Sequence, residues 1–267
     1  MTRPLITFVS DFGRDDWFAG VVRGAIHDVC PEANVVEVTH EVPPGRIAHA
    51  AFLLEVAAPD FPPNTIHLAV VDPGVGTERR ALAVRAHGQL FVGPDNGILE
   101  WALADPAAEL RSVTEVRYMR TPVSRTFHAR DVFGPAAAHL AAGVPLERLG
   151  PRVDDPIRGA HPQPRVTAGE LIGQVMFVDR FGNGITNLTE AARCAAGFQD
   201  GAQDTIEVEA ADRVLHGLSR AYGDAPRGTL VALIGSSGRL EIAQVGGDAA
   251  ERLGLSVGDE VRLRLRK

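Results

Sequence analysis

Leu5-Ile6-Thr7-Phe8-Val9, closed by the turn formers Ser10-Asp11-Phe12-Gly13, runs into a helical pattern over residues 16–29. There Phe18, Val21, Val22, Ala25 and Ile26 recur at i, i+3, i+4 spacing. A short apolar β-run followed by an amphipathic helix is the building unit of a helix-covered sheet. The unit returns in residues 34–38, a strand, and 46–57, a helix. Residues 66–71, 81–86 and 90–92 read as strands, 98–104 as a short helix and 131–142 as a further amphipathic helix. Strands without alternating polarity, separated by helices, predict an α/β domain whose mostly parallel sheet is buried on both faces.

Between residues 143 and 168 the texture changes. Pro145, Pro151, Pro156, Pro162 and Pro164 stand among charged and small residues with no sustained period, which marks a linker. Beyond it, strand patterns recur at 171–178, 205–209, 229–234, 240–244 and 260–265, with a short helical piece at 189–195. Gly- and Asp-rich turns at that spacing predict a small antiparallel barrel or sandwich. The expected organisation is therefore an α/β domain over 1–165, linker included, and a β-barrel domain over 166–267.

Composition narrows the function. The chain has 267 residues, 45% hydrophobic and 23% charged, and 27 Lys+Arg against 34 Asp+Glu leave a net charge of −7. No basic block interrupts that acidic average, which argues against a nucleic-acid groove. Cys30 and Cys194 are too few and too far apart for a disulfide framework or a cysteine zinc site, so a reducing cytoplasm is expected. The opening residues lack a charged segment followed by a long apolar one, predicting no secretory leader. No apolar run approaches the roughly 20 residues of a membrane span. Nine histidines occur without His-x-x-x-His spacing or a cage of acidic partners, so no metal is expected.

Polar motifs cluster where strands end, which is where ligands gather in a parallel sheet. Asp72-Pro73-Gly74-Val75-Gly76-Thr77-Glu78-Arg79-Arg80 follows the third strand, and lacks both the third glycine and the helix of a dinucleotide fingerprint. It reads as a ligand loop or as a turn held by an Asp72–Arg79 salt bridge. Asp11 has two acceptor oxygens suited to a ribose diol, or it caps the next helix. Pro94-Asp95-Asn96-Gly97 is a turn that either caps a helix or contacts a ligand. His128, beside the start of a helix, stays neutral there and suits a hydrogen-bonding role toward water. Asp179-Arg180-Phe181-Gly182-Asn183-Gly184 and Gly235-Ser236-Ser237-Gly238 follow strands and are each compatible with plain hairpins. Ser236-Ser237 lacks the strand–turn–helix elbow of a serine hydrolase.

In combination and in this order, these motifs, with Thr126-Phe127-His128-x-Arg130-Asp131 and Thr186-Asn187, resemble the S-adenosyl-L-methionine (SAM) hydrolases, adenosine-forming. That family is also called the SAM hydroxide adenosyltransferases and is related to the SAM-dependent fluorinase and chlorinase. The resemblance covers essentially the whole chain. It implies an α/β N-terminal domain, a C-terminal β-barrel, and a homotrimer with SAM at subunit interfaces. It also implies attack of water on C5′ of SAM to give adenosine and L-methionine, with SAM as substrate and no cofactor. By the family's pattern Asp72, Arg79 and His128 activate the water and Asp11 holds the ribose. Asp95 and Asn96 join the substrate contacts. Asp179 and Ser237, with Ser236 beside it, meet the methionine amine and carboxylate, Asn183 meets the adenine edge, and Tyr222 packs against the base.

The chain departs from the halogenases where they surround the halide. Asp72 stands in place of a tyrosine, Val75 of a threonine, and Ala129 of a hydroxyl residue or glycine. A carboxylate facing the nucleophile repels halide and favours water. Trp17 stands where the fluorinase has serine, and Pro43-Pro44-Gly45 lacks the bulky residue relatives place over the sugar. The alternatives are a SAM-dependent halogenase, a SAM or adenosine sensor without turnover and, more remotely, a metal-dependent phosphohydrolase.

Overall fold

The computed structural model describes residues 3–159, 162–198 and 205–266. The chain divides into two compact units, residues 1–161 and 162–267. The division falls four residues before the 165/166 boundary read from the prolines. The reason is that β7 (Arg165–Thr167) pairs with β8 (Glu170–Val178), and the Asn187 amide donates to the Pro162 carbonyl at 2.6 Å.

The first unit is built on a six-stranded sheet. Its strands are β1 (Leu5–Ser10), β2 (Asn34–Thr39), β3 (Ile66–Val70), β4 (Ala81–Ala86), β5 (Gln89–Pro94) and β6 (Glu109–Ser112), in the order β2-β1-β3-β5-β4-β6. The pairs β1·β2, β1·β3 and β3·β5 are parallel, while β4 joins β5 and β6 antiparallel. Alternate residues of the buried strands serve opposite faces. Ile6, Phe8, Leu68 and Val70 pack with α1 (Phe18–Val29) and α4 (Gly134–Ala141). Val9, Ala69 and Val71 pack with α2 (Ile47–Ala57) and α3 (Glu100–Leu103). Phe8 and Leu68 are fully buried, so truncating either to alanine removes about 2–5 kcal/mol.

Two local readings are corrected. The first helix begins at Phe18, because residues 14–17 form bends and no side chain caps its start. The helix expected from Asp131 is preceded by a turn of π-helix over Ala129–Phe133, a widened geometry that frequently marks a functional segment.

The second unit is an antiparallel, nearly closed sheet. It adds β9 (Gly184–Thr189), β10 (Ile206–Ala210), β11 (Arg213–His216), β12 (Leu230–Ile234), β13 (Arg239–Gln244) and β14 (Glu260–Leu265). The order is β11-β10-β14-β8-β9-β13-β12, and a bridge from Ser219 to Leu233 ties the β11 end to the β12 end. Leu171, Val175, Leu188, Val208, Leu240 and Ile242 fill its interior. Two short helices, α5 (Glu190–Ala195) and α6 (Ala249–Leu253), are each capped by a side chain, Thr189 and Asp248. Among the described residues no helix is long and apolar enough to cross a membrane.

Candidate active site

At the carboxyl end of β3 the chain turns sharply, and Gly76 makes the turn possible. Its φ is +78°, and a Cβ there would lie 2.3 Å from the Arg125 carbonyl oxygen. Only glycine lets the 72–79 loop lie against the 124–128 loop this closely.

That contact brings three distant residues together. Arg79 Nε donates to Asp72 Oδ1 at 2.9 Å and Oδ2 at 3.0 Å, and Nη2 donates to Oδ2. The same Nη2 lies 2.8 Å from His128 Nδ1. The Asp72 and Arg79 side chains are only 6% and 10% exposed, so this pair is screened little by solvent. Phe133, fully buried in the π-turn, lies beneath the guanidinium at 5.0 Å from ring centroid to Cζ.

A guanidinium has no acceptor, so Nδ1 of His128 accepts and the proton sits on Nε2. Burial and then the Arg79 charge hold the imidazole below its usual pKa, against the opposing pull of Asp72 and Asp131. The segment carrying His128 is pinned by Asp131, which is fully buried. Asp131 accepts from Arg130 Nε at 2.6 Å and from the Ser124 N–H at 2.8 Å.

Asp72 and His128 line a cavity of about 150 Å³ with Asp11, Phe12, Val75 and Phe127. Its walls are mainly apolar apart from those polar groups. Asp11 Oδ2 accepts the Gly45 N–H at 2.9 Å, and among the described residues its Oδ1 accepts no hydrogen bond. Asp95 and Asn96 do not line this cavity. Asp95 is 2% exposed and both oxygens are engaged, one by Arg80 Nε at 2.8 Å and the other by the Ile157 N–H at 2.7 Å. Asn96 donates to the Val71 carbonyl at 2.9 Å and accepts from the Ile98 N–H at 3.2 Å. The Asp72–Arg79 salt bridge therefore occurs, inside the triad itself, whereas Asn96 closes a local turn onto Ile98 and no side chain caps α3.

The second unit holds a separate polar cluster. Asp179 Oδ1 accepts from the backbone of Phe181 and Asn183 at 2.8 and 2.9 Å, and Oδ2 accepts the Asn183 amide at 2.9 Å. Asn183 is 7% exposed. The Tyr222 hydroxyl donates to Glu241 Oε2 at 2.6 Å. Ser236 is exposed at the tip of the β12–β13 hairpin, whereas Ser237 Oγ is buried and, among the described residues, has no hydrogen-bond partner. Glu241 escaped the sequence reading. It lies between Leu240 and Ile242, two core residues, so it reads as the solvent side of a half-buried strand.

Among the described residues, no group of three or more His, Cys, Asp or Glu side chains is arranged to hold a metal ion. Cys30 is buried and Cys194 exposed, and neither is in a disulfide.

The model for the SAM hydroxide adenosyltransferase N-terminal domain matches residues 6–150, and that for the C-terminal domain matches residues 173–262. The (R)-S-adenosyl-L-methionine hydrolase of Thermus thermophilus is 40% identical, over 98% of this chain and 99% of its own length. The enzyme of the same name from Salinispora tropica is 38% identical over 97% of both chains. Among solved structures, an uncharacterized conserved protein from Thermotoga maritima superposes with a TM-score of 0.91 at 36% identity, over 97% of this chain and 99% of that one.

Proposed function

The chain belongs to the SAM hydroxide adenosyltransferase family, and on that premise we propose that it hydrolyses SAM to adenosine and L-methionine. The observation that carries the reading is the Asp72–Arg79–His128 constellation at the wall of a small, largely apolar cavity. A water in that cavity attacks C5′ as the C5′–S bond breaks, its electron pair passing to sulfur. The leaving group is a neutral thioether, so the reaction needs no general acid. The need is for an aligned water and an acceptor for its proton.

The hydrogen bonds divide the labour. With Nδ1 engaged and Nε2 protonated, His128 orients the water by donating to it. Asp72 is the proton acceptor, since a carboxylate has lone pairs beyond those facing Arg79. Arg79 is the positioning residue that fixes both. The released proton then passes from Asp72 to solvent. A fixed carboxylate beside the nucleophile disfavours chloride or fluoride, which sets this reading above a halogenase. Asp11, which lines the cavity, holds the ribose, and Asp179, Asn183, Tyr222, Ser236 and Ser237 serve the remainder of SAM. The geometry of Asp95 and Asn96 favours a structural role for both.

The relatives' names specify the (R) configuration at sulfur. We extend that preference to this chain, which makes its task the removal of the sulfonium epimer and not the loss of SAM at large. The same reading includes a homotrimer with sites at subunit interfaces, supported by family membership, and a cytoplasmic location, supported by the unpaired cysteines. It includes no cofactor, as the leaving-group chemistry requires none. The test is a mixture of (R)- and (S)-SAM resolved by chromatography. The (R) peak falls first, with adenosine and methionine rising together and no effect of a chelator. Equal consumption of both epimers rejects the stereochemical preference, and no consumption rejects the activity.

A further inference from the structure

Asp95 and Asn96 do not line the cavity, yet they touch both ends of the loop that carries Asp72 and Arg79. In the sheet, β5 lies between β3, which leads into that loop, and β4, which follows it. The turn after β5 therefore sits where the loop crosses from one neighbouring strand to the other.

At the β3 end, the Leu90 N–H donates to the Thr65 carbonyl at 2.9 Å, a rung of the parallel β3·β5 ladder. Such rungs are evenly spaced, every second residue. The same rung six residues further along each strand falls to Asn96 and Val71. Pro94 has no N–H and interrupts donation from β5, and the Asn96 N–H turns back to the Pro94 carbonyl at 3.0 Å. The Asn96 side chain replaces the missing donor, its Nδ2 reaching the Val71 carbonyl at 2.9 Å. Val71 is fully buried, so its carbonyl needs a partner within the protein. The residue held in this way is the one before Asp72.

At the β4 end, the Asp95 N–H donates to the Arg80 carbonyl at 3.0 Å, and the Asp95 carboxylate accepts from Arg80 Nε at 2.8 Å. The residue held there is the one after Arg79. The turn is itself backed from behind. Asp95 Oδ1 accepts the Ile157 N–H at 2.7 Å, and a Cβ on Gly97, at φ +93°, would lie 2.7 Å from Gly159 Cα.

We propose that Asn96 is a positioning residue for hydrolysis: by carrying the β3·β5 ladder on to Val71, it fixes the backbone from which Asp72 reaches the cavity. Asp95 secures the other end of the same loop. The inference rests on the reading of Asp72 as the proton acceptor. It gives the Pro94–Gly97 motif a part in turnover without a contact to SAM.

The experiment is a double-mutant cycle on the full chain, Asn96→Ala with Asp72→Asn, read as kcat and KM for adenosine release. Asn96→Ala lowers kcat by roughly 10–100-fold, the order of a small misplacement of a catalytic group, and leaves KM within a few-fold of native. In the Asp72→Asn background it causes no further loss, because the group it positions is gone. Amide hydrogen exchange, followed by mass spectrometry, rises in the peptide spanning residues 72–79 and not across the rest of the sheet. Should Asn96→Ala melt below the assay temperature, Asn96→Asp takes its place with the same expected outcome, since it keeps an acceptor for the Ile98 N–H and loses the donor. Equal losses in both backgrounds, a native kcat in a folded variant, a change confined to KM, or exchange raised throughout the sheet overturns the inference. Undiminished turnover in Asp72→Asn rejects instead the proton-acceptor reading, and exchange across residues 72–79 then remains as the test of the Asn96 contact.

Discussion

Arg79 Nη2 stands 2.8 Å from His128 Nδ1, and because a guanidinium can only donate, this one contact fixes the tautomer of the histidine. In the proposed hydrolysis it removes His128 as the base of the neutral site and leaves that part to Asp72. Asp72→Asn keeps the shape and removes the acceptor. The expected result is a fall in kcat of about 10²–10⁴ with KM changed little, measured by adenosine release. A fall confined to KM would move Asp72 from proton transfer to substrate binding.

Arg79 holds Asp72 by two nitrogens and His128 by one of them, a fork that lysine cannot reproduce. Arg79→Lys keeps the charge but frees both partners. A roughly 100-fold loss in kcat is expected, the order associated with misplacing catalytic groups by about 1 Å. Activity close to the native level would mean that charge alone suffices.

The pH dependence of turnover follows from the same contact. Protonating His128 at Nδ1 breaks its bond to Arg79, and burial and the Arg79 charge both resist that protonation. The acid limb of kcat therefore lies below the ordinary histidine value of about 6.5. A profile already falling at pH 7 would contradict the neutral His128.

Stability shares that direction. Burial depresses His40, His49, His67, His128 and His139, with His67 taken to about 4. The unfolded chain binds more protons than the folded one between these values and about 6.5. Stability from these groups is complete above pH 6.5 and is lost as pH falls toward 4. The melting temperature should drop steadily across that window. A flat Tm between pH 6.5 and 4 would count against the buried neutral histidines.

Asp95 gives a contrast within the predicted site. Its bonds to Arg80 and to the Ile157 N–H predict that Asp95→Ala costs about 1–3 kcal/mol of stability, a modest figure because Arg80 is 35% exposed. KM for SAM in the folded variant should stay within a few-fold of native. A large rise in KM with unchanged stability would return Asp95 to the substrate.

The first unit was legible because its strands are apolar on both faces and its helices carry one apolar stripe, as in residues 5–9 and 18–26. In β9 the buried residues are Gly184, Thr186 and Leu188, with Ile185 only half-buried, so the hydropathy pattern hides the strand. The edge strand β11 is mostly exposed and has no apolar face to read. The triad was legible as residue types in ordered motifs, but its hydrogen bonds join positions 72, 79 and 128, and no local spacing reveals the tautomer. Glu241 was hidden because its burial comes from Tyr222 and Gly235, neither of them adjacent in sequence.

The central claim is that water, activated by Asp72, attacks C5′ of SAM. The most direct measurement is incubation with SAM in H₂¹⁸O containing chloride, followed by mass spectrometry of the nucleosides. The account predicts adenosine carrying ¹⁸O at the 5′ position, with equimolar L-methionine, and none of this product from Asp72→Asn on the same timescale. A 5′-chlorinated nucleoside, adenosine without the label, or SAM bound and returned intact would contradict it.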